Sequence, residues 1–285
     1  MTFSICAFDP EKKEWGVAVQ SKFVAVGAVV PFAKANVGAI ATQSFANTSY
    51  GPKGLTLLEM NFTAEEVIEI LTKKDEMKEQ RQVGIIDSSG NAASFTGNEC
   101  FDWAGHIVGD NFCCQGNIMA NDQVIPAMAE AFKDTKGDLI ERFFAALEAA
   151  QAEGGDKRGR EAAAILIVKE NGAYDGGTDR YIDIRVDEHP TPIQELKKVF
   201  EVYDLCILER DDPDDKVKLE GEVMKTVKKI LKKDEFYEGT INGDYDEDTK
   251  KALTDWLHTN NFEAKERDDG FMWGSIYRYI KKQVE

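Results

Sequence analysis

The chain opens with short apolar runs. Phe3–Phe8, Trp15–Gln20, Val24–Ala33 and Val37–Ser44 are rich in Val and Ile and are divided by Asp9-Pro10 and Asn36. Runs of this length bounded by turn residues predict four consecutive strands, as a meander or a pair of hairpins. Thr63 and Glu66 then form a capping box ahead of Val67, Ile68 and Leu71, which predicts a helix to about Lys74. Strands resume at Gln82–Asp87 and Ala92–Thr96 across Ser88-Ser89-Gly90-Asn91. From Asp122 to Ala152 the spacing turns helical. Val124, Met128, Ala131 and Phe132 share one face and Leu139, Phe143, Ala146, Leu147 and Ala150 another, which predicts two adjacent helices. Ala163–Val168 and Tyr181–Val186 return to strand character. The order is strands, helix, strands, helices, strands, so the class is α+β with helices layered on sheets, not an alternating βαβ fold.

Thr191-Pro192 predicts a helix start with Pro at the first helical position, running to about Glu209. Arg210–Asp215, with a helix-stopping Pro213, reads as a solvated linker. Three more helices are expected at Val217–Lys233, Asp246–Asn260 and Phe271–Lys282. Charge density supports a division: residues 1–200 hold 30 acidic and 20 basic side chains, and the remaining 85 hold 22 and 15. The expected domains are 1–210 and 211–285.

Composition narrows the function classes. A net charge of −17 repels phosphate backbones and anionic lipid headgroups, so nucleic acid and membrane surfaces are not expected partners. The longest apolar stretch, Phe23–Ala33, is too short to span a bilayer. The start lacks the charged and apolar regions of a secretory signal, and the five cysteines lack CxxC spacing. Reduced thiols in a cytoplasmic protein are the expectation. His106, His189 and His258 are far apart and form no HExxH or HxH pattern, and GxSxG, P-loop and GxGxxG motifs are missing. Neither a metal nor a cofactor is expected. Asp244, Asp246 and Asp248 look like the opening of a calcium loop, but Thr249 stands where that loop needs Gly and Asp255 where it needs Glu. Asp246 or Asp248 is instead expected to cap the following helix.

The informative chemistry lies at Met1-Thr2. An initiator Met is removed when a small residue follows, which would make Thr2 terminal at the start of a strand. A terminal Thr carries a hydroxyl nucleophile and an amine base of pKa about 8 in one residue.

Several separated segments carry a family resemblance: Thr2–Asp9, Gly16–Lys22, Gly38–Gln43, Arg81–Gly84, Gln115–Asn117, Gly154–Gly159 and Asp183–Pro190. Together they resemble the DUF1028 family over about residues 1–200. The resemblance implies an Ntn-hydrolase-like fold, a four-layer αββα sandwich whose other members cleave amides with an N-terminal Thr, Ser or Cys. By that analogy Thr2 is the nucleophile. Lys34 on the third strand is the candidate to keep the amine neutral and stabilise the alkoxide, with Lys22 as the alternative. The backbone around Gln43 and Ser44 is the candidate oxyanion donor. Asn117 stands where the fold carries a supporting hydroxyl, Asp156 sits in the turn that orients the terminal amine, and Arg158 lies within that turn. His106 is a substrate-binding candidate, with a hydrogen-bonded structural role as the plainer reading. Cys113 and Cys114 are expected in a buried strand.

Ile230–Leu257, with Gly239–Gly243 at its turn and Thr249, Ala252, Leu253 and Trp256 in the next helix, resembles peptidoglycan-binding modules over about residues 215–285. The resemblance implies glycan binding, with a soluble muropeptide as the ligand. The preferred reading is a packed all-α domain with Trp256, Phe262, Trp273 and Tyr277 in its core. The expected function is an Ntn-type amidohydrolase that uses Thr2 on a small amide or peptide and self-assembles into a homo-oligomer. The alternative is a non-catalytic binding or assembly protein on the same scaffold.

Overall fold

A computed structural model describes residues 2–284. The chain divides into two compact units, residues 1–199 and 200–285, with the division inside a helix.

The first unit contains two antiparallel sheets. One has six strands: β1 (Thr2–Asp9), β2 (Glu14–Ser21), β7 (Gly105–Gly109), β8 (Phe112–Asn117), β9 (Ala162–Val168) and β10 (Arg180–Val186), in the order β10-β9-β2-β1-β8-β7. The other has four: β3 (Pro31–Lys34), β4 (Gly38–Ser44), β5 (Arg81–Asp87) and β6 (Ala92–Thr96), in chain order. The two sheets pack face to face. Helices α1 (Tyr50–Glu59) and α2 (Ala64–Thr72) cover the outer side of the four-stranded sheet, and α3 (Val124–Asp134) and α4 (Leu139–Ala152) cover the six-stranded one. The result is the expected four-layer αββα sandwich.

Burial on both faces explains why β1, β2 and β9 read as continuous apolar runs. Side chains alternate across each strand, so Cys6, Phe8, Val17 and Val19 face the opposite sheet. The capping box forms as expected: the Thr63 side chain accepts from the Glu66 N–H and Glu66 accepts from the Thr63 N–H. Cys113 and Cys114 both lie in buried β8.

Two local expectations are corrected. Val24–Ala33 is not one strand, because a 3-10 turn at Val26–Ala28 breaks it and only Pro31–Lys34 pairs with β4. Ala25 enters that turn with φ +53°, in the left-handed region where a strand cannot continue. The second difference is α1, which the pattern did not predict. Gly51 and Pro52 open it, and Gly51 lies so close to Phe32 that a Cβ there would come within 2.2 Å of the ring.

Helix α5 (Pro192–Cys206) crosses the division between the units. The second unit is built from α6 (Gly221–Lys233), α7 (Glu247–Thr259) and α8 (Gly274–Val284), joined by a short antiparallel ribbon of β11 (Lys216–Lys218) and β12 (Phe271–Trp273). The ribbon occupies positions expected to start helices. Trp256 and Phe262 are buried in its core, with Trp273 and Tyr277 half-buried against it. Asp246 caps α7 by accepting from the Thr249 N–H at 2.9 Å. The acidic stretch is more than a solvated linker. Asp211 accepts from the buried Lys265 ammonium at 2.5 Å, Lys265 also donates to the Leu208 carbonyl at 2.6 Å, and Asp215 takes both ends of the Arg278 guanidinium. A buried lysine needs such partners, and Asp211 and the Leu208 carbonyl supply them.

Candidate active site

β1 lies between β2 and β8, and its register sets Thr2 opposite Ser21 on one side and Asn117 on the other. The Thr2 hydroxyl donates to Ser21 Oγ at 3.1 Å. Its carbonyl accepts from Gln43 Nε2 at 3.2 Å and Asn117 Nδ2 at 3.5 Å. Residues 2, 43 and 117 therefore converge from three strands and both sheets.

Beneath Thr2 the two sheets are joined by a layer of buried amides. Gln43 Nε2 also donates to Gln82 Oε1 at 2.8 Å, and its Oε1 accepts from Ser4 Oγ at 2.7 Å. Gln115 Nε2 donates to Ser4 Oγ at 2.7 Å, and Gln82 Nε2 to the Gly116 carbonyl at 2.8 Å. Gly84 makes room for this layer, since a Cβ there would come within 2.1 Å of Gln115 Oε1. Asn117 Nδ2 donates to Gln82 Oε1 at 2.8 Å, while Asn117 Oδ1 has no partner among the described residues. A buried, closely connected network of this kind holds its members in one geometry.

Asp156 lies fully buried beside the end of β2. Its Oδ2 accepts from the Lys22 N–H at 2.9 Å and from Arg158 Nη2 at 2.8 Å, and its Oδ1 accepts from the Arg158 N–H at 2.9 Å. The turn that carries Asp156 thus ties itself to the strand end next to Ser21. Lys22 follows Ser21 directly, and its ammonium is 3.4 Å from Glu161.

Lys34 does not join this group. Its partner in the sheet is Gly38, at the other end of β4 from Gln43 and roughly 16 Å along the strand at about 3.3 Å per residue. Its ammonium pairs with Glu59 at the surface. The physical reason is the break at Val26–Ala28, which delays β3 so that Val30, not Lys34, lies beside Thr42 through a 3.2 Å backbone bond. His106 is also outside the site: it is exposed on β7, with Nδ1 2.8 Å from Thr96 Oγ1, and burial of part of its ring lowers its pKa. It reaches the amide layer through Thr96, which accepts from Gln82 Nε2 at 2.9 Å, and through its place opposite Gln115 in the sheet.

A cavity of about 340 Å³ opens on Thr2, Gln43 and Ser44. Ser44 ends β4 with φ +70°, a left-handed conformation uncommon for a residue with a side chain. The Phe45 N–H that follows donates to the Gln80 carbonyl at 3.2 Å, so it is already engaged. The Phe45 carbonyl accepts from Arg81. Arg81 Nε donates to Asp75 Oδ2 at 3.0 Å, and both side chains are about one-tenth exposed. Asp75 also accepts from Tyr50 Oη at 2.8 Å and Asn47 Nδ2 at 3.1 Å. Burial pushes the Asp75 carboxyl up, but the bonds from Arg81, Asn47, Tyr50 and the Met77 N–H outweigh it and hold the carboxyl well below the carboxylate range. Burial and the bond to Asp75 raise the Tyr50 phenol. This cluster fastens the loop between Ser44 and Tyr50, which forms one wall of the cavity.

Ser21, Gln82, Arg81 and Asp75 were not among the sequence candidates. Ser21 was within reach of the sequence, because a hairpin register pairing Phe8 with Trp15 also pairs Thr2 with Ser21.

The layers, with a threonine at the head of a central strand, define an Ntn-hydrolase-like fold. The chain belongs to the DUF1028 family, a family of unknown function whose model matches residues 2–196. Residues 206–280 match the family described as "Putative peptidoglycan binding domain". Among solved structures, the chain resembles the DUF1028 protein SPO2555 from Silicibacter pomeroyi at 31% identity, covering 71% of this chain and 86% of that one, with a TM-score of 0.66. Anbu (ancestral beta-subunit) from Yersinia bercovieri is similar at 14% identity over 70% of this chain and 93% of its own, with a TM-score of 0.32. None of the curated proteins compared matches the chain. Among the described residues, no helix is long and apolar enough to cross a membrane.

Proposed function

We propose that the chain is an Ntn-type amidohydrolase that cleaves a small amide or peptide bond with Thr2 as the nucleophile, after removal of Met1. Met1 lies outside the described residues. The observation that carries this reading is the Thr2 hydroxyl, bonded to Ser21 at the head of a central strand and opening on a cavity. A freed Thr2 amine takes the hydroxyl proton, directly or through water, and Oγ1 attacks the substrate carbonyl carbon. The C–N bond then breaks as the leaving nitrogen receives a proton, leaving an ester on Oγ1. Water hydrolyses that ester to the free acid and restores the hydroxyl.

Ser21 orients the hydroxyl. Asp156 holds the adjoining strand end through the Lys22 N–H, while the Lys22 ammonium is spent on Glu161. Asn117 Oδ1, without a partner among the described residues, is a ready acceptor for an N–H close to the Thr2 backbone.

The test begins with the intact mass of untagged protein from its own host, which is expected to lack Met1. A β-lactone, which acylates a nucleophilic hydroxyl, is then expected to add its full mass at Thr2. Thr2→Ser retains part of that labelling and Thr2→Ala loses at least about 1,000-fold in rate. Met1 retained throughout, or labelling equal in Thr2→Ala, leaves the non-catalytic scaffold as the reading.

A further inference from the structure

We infer that the Thr2 cavity selects a large, uncharged, apolar side chain on the acyl side of the amide, an inference that rests on the proposed function. The cavity lies next to the nucleophile and is walled by Phe23, Val26, Val29, Val30, Phe45 and Ala46. Its volume, about 340 Å³, falls at the lower end of small-ligand sites.

Charge selection follows from Arg81. It is the sole charged residue lining the cavity among those described, and its guanidinium is already committed to Asp75 and to the Phe45 carbonyl. An anionic side chain would find that cation neutralised. A cationic side chain would find Arg81 and no lining carboxylate. Either charge would lose its hydration without gaining a partner, which costs more than burying an apolar group returns.

The mouth of the cavity adds size selection. Phe23 and Phe45 are each 48% exposed, and Phe101, 54% exposed, packs against Phe45 with ring centroids 6.2 Å apart. On a chain of net charge −17, three half-open aromatic rings in and beside one cavity leave apolar surface that a bulky ligand would cover. The break at Val26–Ala28 contributes directly, because it places Val26, Val29 and Val30 in the cavity wall instead of in a regular strand.

The test uses four β-lactones that differ only in the side chain beside the reactive carbonyl: benzyl, methyl, carboxymethyl and aminobutyl. Each is reacted with the full chain, and the rate of mass gain at Thr2 is read. Benzyl is expected to react at least about tenfold faster than methyl, with both charged probes slower than methyl. Phe45→Ala, at a half-exposed position, is expected to shrink the benzyl-to-methyl ratio about tenfold. Val29→Asp is expected to raise aminobutyl above methyl, a gain that misfolding cannot produce. Labelling of Thr2 at equal rates by all four probes, or fastest by a charged one, overturns the inference while leaving the nucleophile in place. No labelling of Thr2 by any probe removes the proposed function and the inference together. An unchanged benzyl-to-methyl ratio in Phe45→Ala, with loss of a wild-type oligomer in sedimentation, assigns the aromatic rim to contact between copies and also overturns it.

Discussion

The seam between the two sheets changes character along its length. At the Thr2 end it is polar, with Ser4, Gln43, Gln82, Gln115 and Asn117 bonded to one another and to backbone carbonyls. Toward the other end it is apolar: Phe8 stacks on Trp15 at 4.6 Å, among Val17, Ala39, Ile86 and Leu166. Apolar packing is non-directional and stabilises in proportion to area. Buried amides contribute little net stability but fix orientation, because each unmade bond costs the full desolvation of its group. The molecule thus places its stability at one end of the seam and its geometry at the other, beside the candidate nucleophile.

The largest effect expected from breaking this contrast is at the apolar end. Trp15 is buried and donates Nε1–H to the Asp87 carbonyl at 3.1 Å, so Trp15→Ala is expected to destabilise the chain by about 3–5 kcal/mol in urea unfolding followed by circular dichroism. The rate at which folded Trp15→Ala reacts with a β-lactone at Thr2 should stay close to that of the wild type.

Asp75→Asn tests the clamp beside the polar end. Its expected cost is about 3 kcal/mol near neutral pH, since the variant leaves the largely buried Arg81 guanidinium without its counter-charge. The folded carboxyl is held below its ordinary value, so its stabilisation is complete above about pH 4 and is lost as the pH falls toward the folded value. Unfolding curves of wild type and variant should therefore converge in acid. A gap that persists unchanged at pH 2 would show that the charge of Asp75 is not the cause.

The smallest stability change, about 1–3 kcal/mol, is expected for Gln82→Leu, which takes the acceptor from both Gln43 Nε2 and Asn117 Nδ2. Its effect on β-lactone labelling should exceed that of Trp15→Ala, reversing the order of the stabilities. Labelling at the wild-type rate would mean that the amide layer does not position Thr2.

Several features were legible because their causes are local. The doubly buried strands announced themselves as apolar runs, the Thr63–Glu66 pair started α2, and Asp246 capped α7. Helix α1 escaped because Gly51 and Pro52 are ordinarily turn residues, and here Gly51 is held by the closeness of Phe32. The ribbon of β11 and β12 pairs segments more than 50 residues apart, which no local period reveals.

The sequence by itself determined which segments are strands and helices in most of the chain, their layering of helices on sheets, the family, and a threonine at residue 2 that begins the first strand. Tertiary structure decided what surrounds that threonine. Lys34 went to the surface with Glu59, while Ser21, Gln82 and the Asp75–Arg81 pair came to the site or its wall. The physical reason is one of range. Periodicity and capping are properties of neighbours in sequence, whereas the company of Thr2 depends on strand register and on where β3 begins. A single break at Val26–Ala28 moves every later side chain along the sheet and exchanges a lysine for the wall of a cavity.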